Sequence, residues 1–322
     1  MTIYCHQGFL SLMKRRTGMN STNASEVKIP LDVPGESKDI YRQNYLHITH
    51  GKNRLMLFAG DQKGEHLNDD FYGPGIALDD NDPEHLFRIA GGAHIGVFAT
   101  QLGLISRYGM DYPHVPYLVK LNSKTNLMKT QQADPFSQQW LDVEQVVELR
   151  DNSGISIHAV GYTVYLGSEY EGEMLQQAAQ IVNTAHFYGL VTVLWMYPRG
   201  KAVTDEKSPH LIAGAAGVAA CLGSDFVKVN APKREGTVSS EALREAVQAA
   251  GRTRLVCAGG EAMNEEQFLR NLYDQIHVCG ASGNATGRNI HQKPLDKAIS
   301  FCNAIYAITV ENAELEEALK IL

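Results

Sequence analysis

Lys228 lies between two valines in the run DFVKVN, residues 225–230. A segment this apolar reads as buried, and a lysine is almost never buried without a task. Loss of hydration disfavours the ammonium form, so the pKa falls. A free amine near neutral pH attacks a carbonyl to give an imine. Once protonated, that imine draws electrons from the neighbouring carbon and lets a carbon–carbon bond break. The competing reading is a lysine whose stem packs while its head reaches solvent at a strand end. In LVTVLWMYPRGK, Trp195 and Tyr197 share strand parity and point to one side, and Arg199 and Lys201 follow Pro198. A phenol whose pKa is lowered by a nearby cation can exchange a proton; Tyr197 can equally be a core tyrosine bonded to backbone. Asp61, Lys63, Glu65 and His66 crowd into GDQKGEH directly behind an apolar run. Lys120 and Asn122 follow in another run, and Tyr162, Tyr165 and Ser168 read as pocket walls.

Two glycine-rich turns complete the set. Gly259 and Gly260 lie in AGGEA, and Gly287 with Arg288 in GNATGRN. Glycine lets backbone N–H groups approach a phosphate closely, and arginine adds a planar fork of donors. Metal chemistry finds less support. The 12 histidines form no HExxH, and Glu65 with His66 has no obvious third ligand. No GxSxG elbow and no GxGxxG fingerprint appears. No metal and no cofactor is expected.

These residues sit where short apolar runs give way to polar ones. The runs Leu55–Ala59, Gly96–Ala99, Tyr117–Leu121, Ser156–Val160, Val191–Met196, Asp225–Val229, Arg254–Ala258 and Ser282–Ala285 read as strands. Helical spacing lies between them, as in Met174, Leu175, Ala178, Ile181, Val182 and Ala185 before the stop at Tyr188-Gly189. Another helix, Leu211 to Leu222, follows Ser208-Pro209, an N-cap and a first-turn proline. Alternation of this kind means parallel strands with right-handed crossovers. Eight units favour a closed (β/α)8 TIM barrel of the α/β class, whose chemistry lies at the C-terminal strand ends. Turns after the seventh and eighth strands are a common barrel phosphate site. Residues 54–322 are the expected barrel. Residues 1–53 read as an N-terminal extension that packs on the barrel or on a neighbouring subunit, or as a partly disordered tail. A short helix is predicted at Phe9–Arg16.

The 322 residues carry a formal net charge of −7. That mild acidity argues against nucleic acid or an anionic membrane surface as the main partner. No stretch approaches the roughly 20 apolar residues that span a bilayer. The N-terminal residues lack the order of a signal peptide. Five scattered cysteines, none in a CxxC pair, fit a reducing cytoplasm.

From about Leu55 to Leu322 the chain resembles the archaeal-type class I fructose-bisphosphate aldolases, the DeoC/FbaB group of Schiff-base barrels. The resemblance rests on GDQKGEH, GYTVYLGSE, VLWMYPRGK, DFVKVN, AGG and GRN in that order. It implies reversible cleavage of fructose 1,6-bisphosphate without metal, in glycolysis and gluconeogenesis, by a cytoplasmic homo-oligomer. It also implies an imine on Lys228, proton exchange by Tyr197, and substrate positioning and proton transfer by Asp61. Trp195 would line the pocket, and Gly259, Gly260, Gly287 and Arg288 would hold a phosphate. Arg199 and His66 join the expected substrate contacts. Lys63 stands where relatives often have glycine, and is expected near the second phosphate or another acidic group. A related Schiff-base enzyme acting on another sugar phosphate, of the aminodideoxyheptulosonate synthase kind, shares MYPRGK and stays open. So does a non-catalytic sugar-phosphate-binding barrel.

Overall fold

The computed structural model describes residues 27–126, 134–234 and 236–322; the helix predicted at Phe9–Arg16 lies outside them. Eight parallel strands close into a barrel: β1 (Leu55–Ala59), β2 (Val97–Gln101), β3 (Tyr117–Lys120), β4 (Ile157–Leu166), β5 (Val191–Pro198), β6 (Phe226–Val229), β7 (Arg254–Ala258) and β8 (Gly283–Thr286). Each strand pairs with its neighbours in sequence, and β1 pairs with β8 to close the ring. β4 runs six residues past its predicted end at Val160. A two-stranded antiparallel hairpin, Lys233–Arg234 with Thr237–Val238, follows β6.

Strand parity sorts the side chains. Leu55, Leu57, Val97, Ala99, Leu118, Ala159, Val191, Val193, Trp195, Phe226, Val256 and Ala285 fill the interior. Met56, Phe58, Phe98, Val119, Val160, Leu194, Met196, Val227 and Val229 join the outer core, where the strands meet the helices.

Helix α1 (Lys38–Thr49) seals one end of the barrel. Its Tyr41, Tyr45 and Ile48, with Val33, belong to the same buried cluster as the barrel interior. The Tyr41 hydroxyl donates to Asp225 Oδ1 at 2.5 Å, and Asn44 Nδ2 donates to the Gly189 carbonyl at 2.7 Å. Asp225 Oδ2 accepts from Thr192 through both its N–H and its hydroxyl. His186 bridges Asp32 and Asp225 at 2.8 and 3.2 Å. Burial opposes a charged His186, but the two carboxylates outweigh it and raise its pKa to about 9. Thr192 and Asp225 stand at the starts of β5 and β6, so this buried network marks the floor, opposite the strand ends that carry Lys228 and Tyr197.

Two predicted helix signals meet different outcomes. Helix α2 (Glu171–Phe187) stops at Tyr188, and Gly189 takes a left-handed φ of 70°. Helix α3 (Pro209–Cys221) begins with its proline after Ser208, yet the Ser208 side chain makes no capping hydrogen bond. Proline's fixed φ and its missing N–H, one of the donors a helix start leaves free, suit this position without one.

Candidate active site

Lys228 is only 4% exposed. It has the parity of Phe226, so its side chain enters the barrel. The amine lies 5.2 Å from the Trp195 ring centroid, a cation–π distance. Gly161 on β4 makes room for that ring: a Cβ there would stand 2.3 Å from Trp195 Cζ3. Burial lowers the Lys228 pKa to about 8; Asp61 and Glu65 oppose the shift, while Lys120 and Arg288 add to it.

Asp61 follows β1 and opens the helical turn Gln62–Glu65. Its Oδ2 is 3.7 Å from Lys120 Nζ. Its Oδ1 is buried and accepts no hydrogen bond. A buried acceptor left without a donor is costly, and a substrate hydroxyl can offset that cost. Gln101 Nε2 holds the Asp61 backbone carbonyl at 2.7 Å. Glu65 lies one turn beyond Asp61 and accepts the Tyr165 hydroxyl at 2.6 Å.

Tyr197 packs against both the interior and the outer core. A nearby cation that could lower its pKa is present, but it is outweighed. Burial, Asp61 and Glu65 push the phenol well above its usual range, and the guanidinium of Arg199 opposes them without winning. Tyr197 is therefore held in its protonated form.

The glycine turns lie together at the same end. Gly260 has a left-handed φ of 72°, and a Cβ on Gly259 would stand 2.7 Å from Thr286 Oγ1. Gly287 precedes the short helix α4 (Arg288–His291) and packs so closely that a Cβ would fall 2.5 Å from the Ala59 carbonyl oxygen. Arg288 Nη2 donates to the Gly260 carbonyl at 3.2 Å, and its Nε lies 3.7 Å from Asp70 Oδ2. His66 Nδ1 meets the same Asp70 oxygen at 2.5 Å. Burial works against ionising Asp70, but His66, Arg288 and His291 outweigh it and hold its pKa below the usual range. Asp70 thus ties His66 to Arg288.

Two predicted contacts are drawn elsewhere. Lys63 donates to the Asn81 carbonyl at 3.1 Å and lies over the Phe71 ring at 4.2 Å. Residues 62–65 form a helical turn, so Lys63 stands about 200° around from Asp61. The Lys63 amine thus lies on the side away from Asp61, against Asn81 and Phe71. Arg199 Nε bonds both oxygens of Glu206 at 3.1 Å, and its guanidinium lies 5.4 Å from the Tyr165 ring centroid.

Lys120 is the group to which the sequence reading gave no role. It is 2% exposed, donates to the Asn122 carbonyl at 3.1 Å, and lies 5.0 Å from the Trp195 ring centroid. Its signal was the one that marked Lys228, a lysine inside an apolar strand.

A closed barrel with a desolvated lysine, a buried carboxylate and a protonated phenol at its strand ends defines the class of Schiff-base lyases. The chain belongs to the DeoC/LacD family of aldolases, whose model matches residues 55–293. It is 60% identical over 296 residues to a protein of Methanocaldococcus jannaschii named fructose-bisphosphate aldolase/6-deoxy-5-ketofructose 1-phosphate synthase, covering 92% of this chain and 94% of that one. It is 32% identical to the class 1 fructose-bisphosphate aldolase of Thermoproteus tenax, covering 87% and 98%. Among solved structures, a fructose-bisphosphate aldolase from Slackia heliotrinireducens is 57% identical with a TM-score of 0.90, covering 92% and 94%. An archaeal fructose-1,6-bisphosphate aldolase, with its catalytic lysine bound to the carbinolamine intermediate of the substrate, is 31% identical with a TM-score of 0.71, covering 84% and 99%.

Proposed function

We propose that this protein is a class I aldolase that reversibly cleaves fructose 1,6-bisphosphate to dihydroxyacetone phosphate and glyceraldehyde 3-phosphate through an imine on Lys228. The observation that carries the reading is the burial of that amine inside the barrel, beside Trp195 and with its pKa lowered to about 8. The neutral amine adds to the C2 ketone, and loss of water leaves a protonated imine. Asp61, through its unpartnered oxygen, accepts the proton of the C4 hydroxyl as the C3–C4 bond breaks. The departing electrons settle into an enamine, and the aldehyde leaves. Tyr197 then protonates C3, and water releases the ketone. Arg288 and the backbone at Gly259, Gly260 and Gly287 hold one phosphate, with His66 steadying Arg288 through Asp70.

A second reading is supported by the cations drawn elsewhere. With Lys63 held by Asn81 and Arg199 by Glu206, fewer free charges await a second phosphate. The same enamine can add to a smaller, unphosphorylated carbonyl acceptor, in keeping with the double name of the Methanocaldococcus relative. No helix among the described residues is long and apolar enough to cross a membrane. The reading places the enzyme in the cytoplasm, supported by the unpaired state of Cys221, Cys257, Cys279 and Cys302. It also takes the enzyme as a homo-oligomer, supported by exposed Leu31, Leu78 and Met110.

The test is borohydride reduction in the presence of dihydroxyacetone phosphate, followed by peptide mapping. The expected result is one adduct, on Lys228. An adduct elsewhere, or none, overturns the assignment. Assaying cleavage and condensation with a panel of phosphorylated and unphosphorylated aldehydes decides between the two readings.

A further inference from the structure

A cavity lies at the floor of the barrel, at the opposite end from the Lys228 amine. Its volume is about 510 Å³, within the range of small-molecule pockets. Residues 28–31, α1, the end of α3 and the starts of β6 and β7 enclose it. Three cations border it: Lys28, Arg252 and Arg254. Among the described residues, no ion pair joins any of them to a carboxylate. Arg254 begins β7 with the parity of Val256, so its side chain enters the base of the barrel, where it is half-buried. Burial raises the pKa of the Tyr45 phenol, and Arg254 works against that rise by charge and by hydrogen bond. A guanidinium carries several N–H donors, and one phenol oxygen leaves most of them unanswered. Asp225 also borders the cavity, but its oxygens already accept from Tyr41, Thr192 and His186. The fully buried Phe226 stacks on Tyr45 at 5.8 Å and shuts the interior above.

We propose that this floor cavity binds a small phosphorylated molecule with an apolar body, its phosphate held by Arg254, Arg252 and Lys28. Arginine meets phosphate oxygens with a planar fork of donors, and lysine adds a point charge. The anion supplies the counter-charge that Arg254 lacks in a partly desolvated space. Leu31, Val247 and Leu255 offer an apolar wall to the rest of the molecule; a bare phosphate ion would leave that wall wet. The site is separate from the glycine turns. Gly259, Gly260, Gly287 and Arg288 follow the far ends of β7 and β8, whereas Arg252 and Arg254 stand at the start of β7. The proposal therefore does not rest on the imine reading. An occupant joins the segment 28–31 to β7 and, by binding only the folded chain, stabilises it.

The experiment uses naphthyl phosphate, a phosphate on a flat apolar body, with naphthol as its uncharged control. Calorimetric titration of the full chain should show naphthyl phosphate binding, and naphthol binding at least about tenfold more weakly. Arg252→Gln and Arg254→Gln should each weaken the phosphate's binding about tenfold, the usual effect of losing a hydrogen bond to a charged group. Arg252 is exposed, so its variant tests the site even where Arg254→Gln fails to fold. Arg288→Ala, which removes the cation at the other end of the barrel, should still bind the probe. Hydrogen exchange should slow at residues 28–31 and 251–255 when the probe is present. No binding, equal binding of naphthol, unchanged binding in Arg252→Gln, or loss of all binding in Arg288→Ala overturns the proposal. Slowed exchange confined to residues 259–260 and 287–288 overturns it as well, because the probe then occupies the catalytic end alone.

Discussion

At the scale of single residues, the site separates a base from an acid by environment. Lys228 loses its proton near pH 8 because burial penalises the ammonium. Tyr197 keeps its proton far into the alkaline range because burial, Asp61 and Glu65 penalise the phenolate. Imine formation requires the free amine, so its rate should rise with pH through about 8 and then stay level. The phenol supplies no falling limb below pH 10, since its pKa is raised. Tyr197→Phe should leave the rate and midpoint of trapping near the wild-type values. It should lower turnover about 10²–10⁴-fold, the usual worth of a positioned proton donor. Stopped-flow trapping beside steady-state cleavage measures both; unchanged turnover removes the acid role from Tyr197. The type of these residues was legible in the sequence, because a lysine or tyrosine inside an apolar run has few ordinary explanations. The sign of the tyrosine's shift was not. It depends on two carboxylates brought from β1, more than a hundred residues away in the chain, and local pattern carries no such information.

At the scale of elements, β4 and β5 make the pocket wall together. Gly161 pairs with Val193, two residues before Trp195, and it leaves the space that the indole ring fills. Gly161→Ala would place a methyl group 2.3 Å from Trp195 Cζ3, so the ring must move. It would then shift from both amines. We expect a loss of about 1–3 kcal/mol in stability, typical of overpacking, with turnover falling at least about tenfold. Thermal melts and kinetics check the two effects, and an enzyme that keeps both stability and rate contradicts this role for the glycine. All eight strands fall within a residue or two of their predicted starts, because an apolar run between turn residues is a strong signal. The end of β4 was missed because Tyr162 and Tyr165 read as rim residues, whereas the barrel buries both within the strand. The side to which Lys63 turns was not legible for a related reason. Strand alternation ends at Ala59, the next residues wind into a helical turn, and that change of period reverses which side a residue faces.

At the scale of the whole molecule, the catalytic end depends on a closed floor. The family match begins at residue 55, and the sequence divides most simply at Arg54. The core does not divide there. Val33, Tyr41, Tyr45 and Ile48 fill the base of the same interior cluster that holds Trp195. Asp225, which begins the run bearing Lys228, takes one of its hydrogen bonds from Tyr41, and His186 is held between Asp225 and Asp32. Cutting the chain before Arg54 would open the interior to water and strip both Asp225 and His186 of a partner. Buried groups left unpaired cost about 1–3 kcal/mol each, and loss of four large apolar side chains adds about 1.5–3 kcal/mol apiece. Their sum reaches the whole stability of an ordinary domain, about 5–15 kcal/mol. We therefore expect a chain of residues 54–322 to show no cooperative melting transition and no trapping of dihydroxyacetone phosphate. A chain of residues 27–322 should retain both. Calorimetry on the two chains decides the matter, and a cooperative, active 54–322 chain would show that α1 is an appendage and not the floor of the barrel.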